Sequence, residues 1–240
     1  MGSRSVRLIL AALVFAILAF LVARHRRAAQ GTPIWPDATL VALPHAHGSI
    51  ALDGDTDDPG WRGPTLRTGP WVAADGVTPV HPESEARLVW GDGFLYLNLY
   101  AADEDIRAAG RTQDSLSPEE DSFHLVFTDV TTERVFDFNP LGVVTDAIGP
   151  RGRGAPHERA WDAHVHVSHE ADGTPNKPDD NDEEWVLEVA IPFESLGLTG
   201  AAGERIGLAM ERCDTPHRGK RVCGGWGEGN AHKVLVLEPP

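Results

Sequence analysis

The stretch VWGDGFLYLNLY, residues 89–100, decides the fold. Gly91-Asp92-Gly93 stands between two alternating runs, which is the signature of a tight β-hairpin. In the second run Leu95, Leu97 and Leu99 share one face, and Phe94, Tyr96, Asn98 and Tyr100 the other. Side chains in a strand alternate with a period of two, so the leucine face is the better candidate for a core.

Working outward, the same signal recurs. SIALDG, DSFHLVFTD, ERVFDFNPLGVVTDAI, WDAHVHVSH, EEWVLEVAIP, ERIGLAMERC and HKVLVLE are short β-type runs separated by turn residues. Asn139-Pro140-Leu141-Gly142 supplies a second hairpin turn. PFESLGL alone reads as a short helix. Alternating strands without long helical periods predict an all-β, jelly-roll-like antiparallel sandwich of two sheets.

The sandwich is preceded by a segment of another kind. Leu8–Ala23 is an unbroken apolar run of 16 residues, bounded by Arg7 and Arg24. As a helix it spans roughly 24 Å, slightly short of a bilayer core, with flanking arginines able to snorkel. Residues 1–27 therefore read as a signal anchor, with a cleaved signal peptide as the rival reading. Residues 28–47, rich in Ala and Pro, read as a linker or a first irregular strand, and residues 48–240 as the domain.

Charge narrows the partners. The chain carries −15 at neutral pH, while residues 1–30 hold five arginines and no acid. The remaining body is strongly acidic and repels phosphate backbones, which argues against nucleic acid. A basic envelope protein is a candidate partner for such a surface. The only cysteines, Cys213 and Cys223, flank the turn-rich DTPHRGKRV. That spacing suits a disulfide in an oxidising compartment, with two free thiols as the other reading. The cysteine pair places the body on the periplasmic or extracellular side of a membrane.

Read in order, IALDGDTDDPGW, ARLVWGDGFLYLNLYAADEDI, DSFHLVFTD, EEWVLEVAIPFESLGL, GERIGLAMERCDTP and GGWGEGNAHKVLVLE form a recognisable series. It resembles the family 9 carbohydrate-binding modules and their DOMON-like relatives over about residues 48–238. The resemblance implies a two-sheet sandwich, calcium in some members, and a sugar held between two aromatic rings. Members often sit beside glycoside hydrolase domains.

On that resemblance, Trp226 takes the position of the C-terminal stacking ring. The second tryptophan is absent, because Pro118 or a neighbour stands there, and His124 replaces a carboxylate that meets sugar hydroxyls. Asp121 is retained, and Asp121, His124 and Arg212 are candidate polar partners. Trp161 or Trp71 is a candidate replacement ring from another loop.

Other chemistry has thinner support. Asp53, Asp55, Asp57 and Asp58 are closely spaced oxygen donors suited to calcium, although the later glutamate of an EF-hand loop is missing. Residues 179–184 form a second acidic run. His164 and His166 share a strand face, a weak zinc or copper signal. A b-type haem, held in some DOMON-like relatives by an axial Met, would have only Met210 with Lys233 or His124 here. Glu188 and Glu194 make no defined acid/base pair, and no nucleophile or phosphate-loop motif is present. The expectation is a non-catalytic binding protein for a glycan or polysaccharide.

Overall fold

A computed structural model describes residues 39–69, 71–152, 154–226 and 233–240. The apolar N-terminal run lies outside the described residues. Among the described residues no helix is long and apolar enough to cross a membrane.

Among the described residues, twelve strands form two sheets. The first has the order β1 (Leu40–Leu43), β12 (Lys233–Leu237), β10 (Arg205–Asp214), β5 (Ser122–Thr128), β6 (Thr132–Phe138), β7 (Val144–Pro150). β11 (Val222–Gly225) joins β10 on the edge that β12 also uses. The second sheet has the order β2 (Leu66–Arg67), β3 (Ser84–Gly91), β4 (Phe94–Ala102), β9 (Glu184–Pro192), β8 (His166–Asp172). Pairing is antiparallel except for β1 with β12.

The predicted hairpin is β3–β4, closed at Asp92 (φ 50°) and Gly93 (φ 85°). Two successive positive φ values match the right-handed twist of the flanking strands. Leu95, Leu97 and Leu99 are buried, as the alternation predicts. They meet Phe123, Leu125 and Phe127 of β5, Phe136 and Phe138 of β6, and Leu187 and Val189 of β9 in one core between the sheets. The rings of Phe123 and Trp185 cross at 5.0 Å within it. The helix α1 (Phe193–Leu196) follows β9 and ends at Gly197, in the left-handed region at φ 72°.

One expectation changes. SIALDG is not a strand: its backbone leaves the sheets and runs over the outer face of the second one. Its companion DGDTDD turns back onto Glu188 of β9, whose carboxylate accepts the N–H groups of Asp53 and Gly54 and the indole N–H of Trp61, at 3.1, 2.9 and 2.9 Å. The segment read as a linker or irregular strand supplies β1, paired residue for residue with β12 from Leu40↔Val234 to Leu43↔Leu237.

Candidate functional site

The outer face of the first sheet carries the candidate site. Alternation puts Ser122 and His124 of β5 on that face, opposite Phe123 and Leu125 in the core. Pairing sets His124 directly against Asp137 of β6 and Glu211 of β10. The His124 Nδ1 to Asp137 Oδ1 distance is 2.6 Å. Partial burial alone would lower the imidazole pKa. The Asp137 hydrogen bond and the charges of Asp137, Glu211 and Glu133 outweigh it, so the pKa lies above its ordinary value. His124 thus keeps its proton further into the neutral range, with Nε2 as its remaining donor.

Beside this pair lies an open cleft of about 490 Å³. Its floor is Ser122, Val135, Asp137, Thr145 and Ala147. One wall is Leu116–Pro118 with Arg221, the other His157 with Arg159. Both walls are fixed from below. Glu120 is fully buried and accepts N–H bonds from Ala109, Gly110 and Ser117 and from the Asn139 side chain, which pins the loop before β5. The Arg221 guanidinium donates to the Pro118 carbonyl and ties that loop to the β10–β11 turn. His157 packs over Gly149, where a Cβ would approach the Pro156 carbonyl to 2.6 Å, and lies 3.2 Å from Glu133.

Arginine and histidine donors around a carboxylate acceptor, above a floor of Val135 and Ala147, can hold a polyhydroxylated ligand of small size. Asp137 was missed in the sequence. Its signal was the β5–β6 hairpin register, which restores a carboxylate one strand away from the position that His124 fills.

The other expected site residues lie elsewhere. Asp121 is fully buried, its two oxygens accepting the Arg107 and Thr215 N–H groups at 2.6 Å each. Arg212 is 2% exposed and bonds Asp103 at 2.7 Å. Both point inward and brace the sandwich, so the expectation that they meet a ligand is corrected. Trp161 is half-buried and packs 5.9 Å from Phe136, on the core-facing side of the sheet, away from His124. Trp71 is buried, with its indole N–H on Thr68. Trp226 directly follows β11, donates its backbone N–H to Met210 and leans half-buried on the core.

Cys213 and Cys223 form a disulfide between directly paired positions of β10 and β11. Met210 faces the core and His124 the opposite side of the sheet, so those two do not face a common haem.

The run Asp53, Asp55, Asp57, Asp58 gives no convergent ligand set among the described residues. Its carboxylates serve the chain instead: Asp58 accepts from Ala51 N–H and Asp53 from Asp55 N–H. The carboxylates that do converge are Asp103, Asp121 and Asp214, all buried. The Arg212 guanidinium already supplies a cation to two of them.

No family model matches the chain, and no curated protein matches it by sequence. Solved structures do. A candidate carbohydrate-binding protein from Bacteroides uniformis superposes with a TM-score of 0.67 at 14% identity, covering 84% of this chain and all of that one. A family 9 carbohydrate-binding module from Caldicellulosiruptor kristjanssonii, solved with cellotriose, superposes at 0.56 and 13% identity over 84% and 95% of the two chains. The same module with glucose gives 0.56 and 15% over 84% and 97%. The chain therefore has the fold of the family 9 carbohydrate-binding modules.

Proposed function

We propose that this protein is a non-catalytic carbohydrate-binding module, exported and tethered by its N-terminal apolar segment, that takes a glycan end in the cleft beside His124 and Asp137. The observation that carries the reading is the cleft itself. Asp137, hydrogen-bonded to His124 beside the cleft, lines its floor, and arginines stand on both walls. Sugar hydroxyls need donors and acceptors in one small space, and this face provides both. The fold shared with modules solved with glucose and cellotriose supports the same ligand class. The 16-residue apolar run supports the tether, and the Cys213–Cys223 bond suits an oxidising compartment.

The cleft is open, and none of its described lining residues is Phe, Tyr or Trp. Affinity is expected to be modest, with Kd on the order of 0.1–1 mM for cellotriose. Calorimetric titration of the full-length chain tests this. Asp137→Asn and Arg159→Ala should each weaken binding by about tenfold, the cost of losing one charge-assisted hydrogen bond. Unchanged affinity in both variants would remove the site from this face. The detergent must not carry a sugar headgroup, which would compete.

A further inference from the structure

The outer face of the second sheet holds a groove of about 560 Å³, separate from the cleft on the first. Strand register builds its floor. Glu85, Tyr100, Val186 and Glu170 stand side by side across β3, β4, β9 and β8, with Arg87 and Asn98 in the next row. Gly54–Thr56 form one wall, held down by the Glu188 carboxylate, and Trp71 with Pro79–His81 line the other side.

Three features of this groove call for a ligand of one kind. First, its carboxylates outnumber its cations. Glu85 is neutralised by Arg67 and Arg87, each at 2.9 Å. Asp55, Glu83, Glu170 and Glu184 also line the groove and have no ion-pair partner among the described residues. Second, Asn98 is only 4% exposed, and its Nδ2 has no hydrogen-bond partner among the described residues. A buried amide in that state costs free energy that an acceptor oxygen would recover. Third, the half-buried Tyr100 ring, with its hydroxyl bonded to Glu184, and Val186, Val80 and Pro79 offer apolar surface between the polar groups.

We infer that this groove is a second binding site, for a saccharide segment bearing free amines. An amino sugar brings positive charge to the carboxylates, oxygens to Asn98 and C–H faces to Tyr100 and Val186. An acidic saccharide is repelled. The site lies on the other sheet from the cleft near His124 and does not depend on that cleft binding anything.

The test titrates the full-length chain with a β-1,4 glucosamine trimer, cellotriose, galacturonic acid trimer and trilysine, in sugar-free detergent at low salt. The glucosamine trimer should bind about tenfold or more tighter than cellotriose, with no binding of the acidic trimer. Glu170→Gln with Glu184→Gln should weaken glucosamine-trimer binding by about tenfold or more. Glu170 is exposed, so Glu170→Gln alone is a second variant safe for folding, with a smaller loss in the same direction. Glu238→Gln, at an exposed position that lines neither the groove nor the cleft, should leave it unchanged. Absence of binding overturns the inference, as does indifference to the glutamate variants or an equal loss on Glu238→Gln. Equal affinity for trilysine overturns the saccharide assignment, because charge alone would then explain the site.

Discussion

Arg212→Met is expected to destabilise the fold by about 3–5 kcal/mol, the usual cost of stranding buried carboxylates. Arg212 stands on the core-facing side of β10 and reaches Asp103, in the loop after β4, at 2.7 Å and Asp214 at 3.5 Å. Asp103 also accepts the indole N–H of Trp185 at 3.1 Å, so the cluster joins the two sheets. Three carboxylates face one guanidinium, and the remaining charge is relieved by protons. Burial and the neighbouring Asp103 push Asp121 up to about 8, against two backbone N–H bonds and Arg212. Burial pushes Asp214 up to about 6, with Arg212 opposing and Asp103, Asp105 and Glu104 assisting.

A pH dependence follows with a definite sign. Both folded pKa values exceed the ordinary aspartate value of about 3.9, so the folded state binds more protons than the unfolded one in between. The stability these groups contribute is complete below pH of about 4 and is lost as pH rises through about 6 and then 8. His124, raised by Asp137, acts in the same direction in the neutral range. Asp75, Asp129 and Asp180, whose pKa values are lowered, act only on the acid side of that window. Urea midpoints should therefore fall from pH 5 to pH 8 in the wild type, and fall more steeply in Arg212→Met. A flat profile in both proteins would mean that the cluster stays ionised throughout and is neutralised by something other than protons.

The framework of strands was legible because it depends on local alternation. Leu95, Leu97 and Leu99 announce a buried face within seven residues of a Gly-Asp-Gly turn. SIALDG alternates just as well, yet it lies over a sheet instead of in one, and nothing local distinguishes the two cases. The carboxylates failed for a related reason. Glu188 occupies the outward position of β9, which alternation reads as solvent. Its partner Gly54 lies 134 residues away and covers it. Asp121 and Arg212 were candidate ligand contacts through the family resemblance, which carries no information on their burial. Their burial depends on Asp103 and Thr215, which come from other loops. Asp137 was recoverable, since a hairpin between β5 and β6 fixes its position opposite His124 once the turn at residues 129–131 is placed.

Glu188→Ala is expected to cost about 3 kcal/mol or more, since it leaves three N–H groups without an acceptor under a covering segment. The Glu188 side chain is fully buried. Burial pushes its pKa up, and the bonds from Gly54, Trp61 and Asp53 oppose that shift by favouring the ionised form. Glu188→Gln keeps one carbonyl acceptor and sets an amide donor against the remaining N–H groups, so it should fall between wild type and alanine. Hydrogen exchange separates this local effect from global loss of structure. The amides of Asp53 and Gly54 should lose protection in Glu188→Ala, while those of β5 and β10 keep theirs. The same variant should weaken any ligand in the groove above β4 and β9, because Gly54–Thr56 form its wall. Retained protection at residues 53–54 would show that the segment is held by apolar packing of Trp61, buried at 6% exposure, and that the carboxylate merely satisfies N–H groups already in place.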